Sequence, residues 1–348
     1  MAKEHLQRID TNQLIKELLL PHCRLEYGDI WQDSARGHKV GCLDGSSEKD
    51  IQMLMGNAKS ILAVQDPPYN VVVGNNNTQR LGQVAVADYI DWSRRWIKNT
   101  SEALETDSSL YIWLGADQNA GFQPLADFII MMRDFDDFTT RSLITMRNQR
   151  GYGTQKNWMA VRQELLYYVK GKPRFNVEAE YTDIPKILRG YYKKVNGKVT
   201  ENLERSKSNN IRAGNVWVDI QQVFYRMEEN VPGCYAQKPL KAIERIISAS
   251  SDPGELVVDF FAHSGTTLLA CEKLNRQCFT CDIDPVFAEI SIRRLEHYRR
   301  TGQTGWQFQT PFPEVDIDWQ KQNESGAIIT DQTKTTEKNL FDFLPMTN

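Results

Sequence analysis

The stretch Ser60-Ile61-Leu62-Ala63-Val64-Gln65-Asp66-Pro67-Pro68-Tyr69 indicates the architecture and contains the first candidate site. Its first six residues form a short apolar run, which predicts a buried strand. Two consecutive prolines cannot donate backbone hydrogen bonds or continue a strand, so the chain must leave the sheet at Asp66. A carboxylate, bare carbonyl groups and an aromatic ring thus follow a strand directly, at the edge where open α/β sheets bind ligands.

Asp66, Pro67 and Tyr69 suit a flat ligand that carries an amino group, such as a nucleobase. The lone pair of an exocyclic amine is delocalised into the ring, which makes that amine a poor nucleophile. Asp66 and the Pro67 carbonyl could each accept one of its N–H groups, while Tyr69 could stack on the ring. Such a site would act by positioning and electrostatics more than by proton abstraction. The same residues also fit a rigid turn without chemistry.

Strand and helix patterns alternate along the chain around this stretch, which is typical of a doubly wound α/β sheet. Strands are predicted at residues 39–43, 60–65, 109–114, 139–147, 163–169, 255–258 and 278–281. Helices are predicted at residues 11–20, 47–55, 85–104, 122–135, 239–249 and 266–274. Residues 71–82 are rich in glycine and asparagine and predict a mobile loop beside the candidate site.

A second informative stretch lies between Lys238 and Asp282. A predicted strand ends in Asp259-Phe260-Phe261-Ala262-His263-Ser264-Gly265-Thr266, a helix follows, and the next strand ends at Asp282. In such units the second acid binds ribose hydroxyls and the helix N-terminus binds an anionic group. Because the turn has a single glycine, it disfavours a pyrophosphate-binding dinucleotide site. A smaller nucleoside ligand with a carboxylate fits better, and S-adenosylmethionine is such a ligand.

Positive charge is concentrated in one part of a chain whose net charge is −3. Residues 172–215 contain ten Lys or Arg and five Asp or Glu, so that segment nets +5. A local basic patch of this kind favours nucleic-acid binding, although a charged linker has a similar composition. Basic and aromatic residues at 147–158 suit phosphate contacts and base stacking, as would an ordinary solvated loop. The residues predicted to bind nucleic acid are Arg147, Arg150, Lys156, Lys193, Lys194, Arg205, Lys207 and Arg212.

Other classes of protein are disfavoured by composition. No apolar run is long enough to span a membrane, and the first residues do not form a secretory signal. The six cysteines are scattered, which indicates a reducing, cytoplasmic environment. Cys278 and Cys281 form a C-x-x-C pattern, but on a strand they point to opposite faces, so we expect no metal site.

The two stretches together resemble the DNA amino-methyltransferases, which methylate N6 of adenine or N4 of cytosine with S-adenosylmethionine. The resemblance rests on Asp66-Pro67-Pro68-Tyr69, on Lys238-Pro239 and on the turn at residues 261–267. The motif order is similar to that of the β class, in which the catalytic motif comes first and the cofactor motif last. It implies a Rossmann-like sheet with a permuted motif order, double-stranded DNA as partner, and a target base flipped out of the duplex.

The resemblance assigns roles to individual residues. The catalytic positions are Asp66, Pro67, Pro68 and Tyr69. The cofactor-binding positions are Lys238, Pro239, Asp259, Phe261, Ser264, Gly265, Thr266 and Asp282. Adenine is favoured over cytosine, because members that act on cytosine more often have serine at the position of Asp66.

The resemblance also implies a division of the chain. It comprises an N-terminal helical arm (1–38), a catalytic half (39–171), a target-recognition insertion (172–231), a cofactor-binding half (232–300) and a C-terminal tail (301–348). A prokaryotic or phage enzyme acting in the cytoplasm is implied. A homodimer and a cognate restriction endonuclease are possible partners that the residues leave open, together with the recognition sequence.

Two departures from the family pattern weaken the expectation of tight cofactor binding. Phe260 and His263 stand where the family usually has proline and glycine. A catalytically silent nucleic-acid-binding subunit would tolerate both changes. The residues also leave room for a cytosine-N4 methyltransferase, and for a nucleotide-dependent oxidoreductase, which Asp282 alone would permit.

Overall fold

The computed structural model describes residues 8–9, 12–68, 79–115, 123–152, 160–176, 181–185, 191–202, 210–317 and 319. The α-helices are α1 (Gln13–Leu19), α2 (Glu48–Met55), α3 (Gln79–Ala103), α4 (Leu125–Met131), α5 (Leu240–Ser250), α6 (Thr266–Leu274) and α7 (Pro285–Thr301). The strands are β1 (Ile30–Gln32), β2 (Lys39–Cys42), β3 (Ser60–Gln65), β4 (Leu104–Leu114), β5 (Thr139–Tyr152), β6 (Ala160–Lys170), β7 (Tyr181–Pro185), β8 (Tyr191–Val195), β9 (Lys198–Asn202), β10 (Asn210–Arg212), β11 (Val216–Trp217), β12 (Leu256–Asp259) and β13 (Gln277–Asp282).

A nine-stranded sheet in the order β1-β2-β13-β12-β3-β4-β6-β5-β11 forms the centre of the molecule. It is parallel except where β1 pairs with β2 and where β6 pairs with its two neighbours. The prediction of a doubly wound, mostly parallel sheet is thereby confirmed. Strand β12 pairs in parallel with β3, with Val257 opposite Leu62 and Val258 opposite Ala63. The two strands that precede the two motifs are therefore neighbours, and their carboxyl ends lie at one edge.

Both faces of the sheet are covered by helices. Leu62 and Val64 belong to one buried cluster together with apolar residues of α5, α6 and α7. Ala63, between them, belongs to a second cluster with residues of α2, α3 and α4. Successive side chains of a strand point to opposite faces, so residues 61–64 of β3 are all apolar because each face of the strand meets a helix layer.

The N-terminal region, predicted as a helical arm, contains the strand β1 as well as the helix α1. Strand β1 lies at the edge of the main sheet, antiparallel to β2. Helix α1 packs through Ile15 and Leu19 into a third cluster that includes Phe287 of α7 and Trp306. The region before residue 39 therefore packs both on the sheet and on α7.

Three further findings correct or refine the predicted elements. Helix α3 begins at Gln79, so the end of the segment predicted as a loop is helical. In the segment predicted as an insertion, β7 pairs with β10 and β8 with β9, while β11 joins the main sheet beside β5. Cys278 and Cys281 belong to different clusters, on opposite faces of the sheet, as predicted.

Within the described ranges we find no helix that combines the length and apolar character of a membrane span.

Candidate active site

Three aspartates follow three neighbouring parallel strands and define one edge of the sheet. Asp66 follows β3, Asp259 ends β12 and Asp282 ends β13. The side chain of Gln65 links the first two strand ends, because its Oε1 accepts a hydrogen bond from the backbone N–H of Phe260 (2.9 Å). The first two aspartates line a cleft whose other walls come from β4, α5 and α6. The topology thus brings the two sequence motifs into one site.

Asp66 is held by the buried ammonium group of Lys238. The distance from Lys238 Nζ to Asp66 Oδ2 is 2.7 Å, with exposed side-chain fractions of 5% and 18%. The same nitrogen lies 5.6 Å from the ring centroid of Trp113. Pro67 is buried and Pro68 is exposed, while Tyr69 lies outside the described residues. The structure therefore brings the predicted carboxylate and Lys238 together, and the predicted stacking residue stays a prediction.

Asp259 and Asp282 organise the turn between β12 and α6. Asp259 accepts a hydrogen bond from the N–H of Phe261 (2.9 Å), and burial raises its pKa to about 7, with a smaller effect from the charge of Asp66. Asp282 accepts from the N–H of His263 and, through its other oxygen, from that of Asp284 (2.9 and 3.0 Å). Burial raises the pKa of Asp282 to about 6. Burial therefore holds the pKa of both acids well above the usual range of an aspartate.

The turn between these acids contains two residues with positive φ. Gly265 has φ +70°, and a Cβ there would lie 2.7 Å from Cα of Ser291, so α7 approaches too closely for any side chain. His263 has φ +43° despite being a side-chain residue, and its ring lies 4.7 Å from that of Phe287. Non-glycine residues rarely adopt this conformation, which costs of order 1–3 kcal/mol. The departure at His263 therefore stores backbone strain at the edge of the cleft.

Phe261, Ser264 and Thr266 line the cleft, and their predicted contacts with the cofactor stay predictions. The ring of Phe261 packs against Trp92 and Trp96 of α3 at 5.7 and 5.3 Å between centroids. Ser264 and Thr266 are buried, with their hydroxyl oxygens 3.2 Å apart. Pro239 caps the start of α5 directly after Lys238.

Arg294, which the sequence patterns did not single out, is fully buried on α7. Its guanidinium donates to the Ser264 carbonyl (2.8 Å), the Thr266 hydroxyl (3.0 Å) and the Glu229 carbonyl (3.1 Å). Burial lowers its pKa to about 10. The carboxylate of Glu229 in turn accepts from the N–H of Leu240 (2.8 Å). An arginine inside the apolar pattern of a helix was the available signal, but its partners are distant in sequence.

The residues predicted to bind nucleic acid are only partly described. Arg147 is exposed near the end of β5. Four more have a described backbone only, on β5 (Arg150), β8 (Lys193 and Lys194) and β10 (Arg212). Lys156, Arg205 and Lys207 lie outside the described residues. All eight assignments therefore stay predictions.

The described residues of the site fit S-adenosylmethionine better than a dinucleotide. Each oxygen of Asp282 accepts one backbone N–H, and a carboxylate can accept further bonds from ribose hydroxyls. Lys238 is the one Lys or Arg among the described residues that line the cleft, and it is paired with Asp66. That lining offers little to a pyrophosphate but suits a nucleoside that carries a positive charge.

Comparisons with known proteins agree with this geometry. A family model described as DNA methylase matches residues 61–293. The Type II methyltransferase M1.MboII of Moraxella bovis is 30% identical over 278 residues, covering 74% of this chain and 96% of the relative. The DNA adenine methyltransferase YhdJ of Escherichia coli (strain K12) is 29% identical over 251 residues, covering 68% and 77%.

Among solved structures, PvuII DNA methyltransferase, described as cytosine-N4-specific, superposes with a TM-score of 0.55. Its identity is 16%, and the match covers 77% of this chain and 89% of that protein. At that identity the likeness supports the methyltransferase fold alone. The family model spans both motif-bearing strands and the cleft between them, so the chain belongs to the DNA methylases that transfer a methyl group from S-adenosylmethionine to N6 of adenine or N4 of cytosine.

Proposed function

We propose that this protein is a site-specific adenine-N6 methyltransferase that acts on a base flipped out of double-stranded DNA. The observation that carries the proposal is the adjacency of β3 and β12, which places Asp66 and Pro67 beside the turn at residues 259–266. A methyl donor held at that turn and an amine held at Asp66 would meet in the cleft between the two strands. S-adenosylmethionine supplies an electrophilic methyl group there.

The chain's own residues would position the amine. One oxygen of Asp66 and the carbonyl of Pro67 each accept an N–H group, which favours a pyramidal nitrogen with its lone pair directed into the cleft. Tyr69 stacks on the base and fixes its plane. As the new N–C bond forms, the methyl–sulfur bond breaks, and the surplus proton leaves the nitrogen for solvent, directly or by way of Asp66.

Adenine is proposed as the target base in preference to cytosine because residue 66 is an aspartate, where cytosine-specific members more often have serine. The name of the Escherichia coli relative, a DNA adenine methyltransferase, supports this proposal, and the cytosine-N4 enzyme of the same fold is the alternative. Arg147 and the basic insertion at residues 172–231 are proposed to bind the DNA phosphates. Such contacts position a duplex without reading its sequence. The Type II names among the relatives favour a cognate restriction endonuclease.

The experiment is incubation of the protein with unmethylated plasmid DNA and S-adenosylmethionine, followed by sequencing that maps modified bases. We expect N6-methyladenine within one recurring sequence. In Asp66→Ala, methyl transfer should be abolished while calorimetric titration still shows cofactor binding. N4-methylcytosine in the product would overturn the choice of base. If the wild-type protein neither methylates DNA nor binds S-adenosylmethionine in the calorimeter, the alternative of a catalytically silent nucleic-acid-binding subunit would be supported instead.

A further inference from the structure

Lys238 connects the two halves of the active site, although 172 residues separate it from Asp66 in the chain. Its backbone carbonyl accepts a hydrogen bond from the hydroxyl of Thr266, at the start of α6 (3.4 Å). Its ammonium donates to Oδ2 of Asp66, at the end of β3 (2.7 Å). One residue therefore spans from the turn between β12 and α6 (residues 260–266, the predicted cofactor turn) to the carboxylate that would accept the amine N–H.

The surroundings of Lys238 fix where its ammonium lies. A lysine that is 5% exposed needs partners for its charge, because an unpaired buried ammonium is costly. Asp66 supplies the opposite charge, the Ala236 carbonyl lies 3.4 Å from Nζ, and the face of Trp113 lies 5.6 Å away. These groups come from different parts of the chain, so the ammonium is held from several sides.

The backbone end of Lys238 is fixed as firmly. Thr266, which donates to the Lys238 carbonyl, itself accepts a hydrogen bond from buried Arg294 (3.0 Å). The next residue, Pro239, has a restricted φ and leads directly into α5. The distance from the cofactor turn to Asp66 is therefore set through one side chain that is held at both ends.

We propose that Lys238 is a positioning residue for methyl transfer, in which its ammonium engages Oδ2 of Asp66 so that Oδ1 faces the target amine at a set distance from the methyl donor. This inference rests on the function proposed above. A carboxylate without such a partner can turn about its side-chain bonds and accept in several directions. Misplacement of a reacting group by about 1 Å can cost of order 10²-fold in rate.

A direct contact between Lys238 and the cofactor predicts a different result. A cofactor ligand would lose S-adenosylmethionine affinity on substitution, whereas a positioning residue would lose rate at unchanged affinity. Lys238→Met removes the charge and keeps most of the bulk, Lys238→Gln keeps a neutral donor, and Lys238→Arg keeps the charge. Lys241→Met is the matched control, because Lys241 lies on α5 and pairs with Asp219 away from the cleft (3.6 Å).

The experiment measures single-turnover methylation of plasmid DNA at saturating cofactor, together with the calorimetric Kd of S-adenosylmethionine. We expect Lys238→Met to lower the rate by about 10- to 100-fold, with the cofactor Kd changed less than about threefold. Lys238→Arg should restore part of the rate, and Lys241→Met should match the wild type. In an Asp66→Asn background, Lys238→Met should change the residual rate less than about threefold, because the partner is already lost.

Several results would overturn the inference. One is a wild-type methylation rate in both Lys238→Met and Lys238→Gln. Another is a Kd for S-adenosylmethionine that rises in proportion to the loss of rate. Fully additive effects of the two substitutions would show that Lys238 does not act through Asp66. Lys238→Gln keeps the test available if Lys238→Met does not fold by circular dichroism. Failure of the proposed function is distinct, since the wild-type protein itself would then leave DNA unmethylated.

Discussion

At the scale of single residues, Asp282 links cofactor binding to pH. Its pKa is raised to about 6, so the carboxylate, which we predict to accept ribose hydroxyls, predominates above that pH and is protonated below it. We expect the affinity for S-adenosylmethionine to weaken as the pH falls through 6, by up to about tenfold per unit. Calorimetric titrations from pH 5 to 8 would measure this. In Asp282→Asn the affinity should vary little with pH, whereas Asp259→Asn should keep the wild-type loss of affinity below pH 6. An equally steep loss in Asp282→Asn would show that Asp282 is not the titrating group.

His263 supports a prediction about strain. Its φ of +43° is easily adopted by glycine, and the hydrogen bond to Asp282 comes from its backbone N–H, which glycine also carries. We expect His263→Gly to change the free energy of unfolding by less than about 1 kcal/mol, because relief of strain offsets the greater freedom of glycine in the unfolded chain. Both variants lose the ring contact with Phe287, and only His263→Ala keeps the backbone strain, so His263→Ala should be less stable than His263→Gly. Urea denaturation compares the two, and the reverse order would contradict the strain.

At the scale of elements, the packing of α7 against the cofactor turn is the critical contact. A Cβ on Gly265 would lie 2.7 Å from Cα of Ser291, while one on Gly254, also at positive φ, would meet nothing within 4 Å. Gly254→Ala therefore carries the backbone cost alone, of about 1–2 kcal/mol. We expect Gly265→Ala to cost about 1–3 kcal/mol more, from displacement of α6 against α7. Equal losses in thermal or urea unfolding would mean that this contact is not tight.

At the scale of the whole molecule, Arg294 connects segments that are remote in sequence. It joins α7 to the cofactor turn, to Glu229 and to the carbonyl of Thr304 (2.7 Å). We expect Arg294→Met to lower the free energy of unfolding by about 3–5 kcal/mol, because several buried carbonyl groups lose their donor. Arg294→Lys should fall between, since an ammonium cannot make the same fork. Urea unfolding measures both, and Arg300→Met, exposed on the same helix, is the control that should stay near wild type.

Local patterns predicted most strands of the main sheet, because most of the predicted runs are largely apolar and are followed by Asp or Gly. They failed where packing decides. Residues before 39 were predicted as a helical arm, yet β1 forms there because its partner β2 offers a free edge. Residues 79–82 were predicted as loop but begin α3, because the long helix continues toward its N-terminus despite Gly82.

The chemistry and its order along the chain follow from the residues alone: an acid and two prolines after one strand, and a turn with an acid after another. These are local properties, since strand ends and proline breaks depend on neighbouring residues. Packing in three dimensions sets the rest, because it places β12 against β3, Lys238 against Asp66, and Arg294 against the cofactor turn. Such contacts join residues far apart in the chain. The buried charged groups among them must pair with partners that only the fold brings near, because a buried charge without a partner is costly.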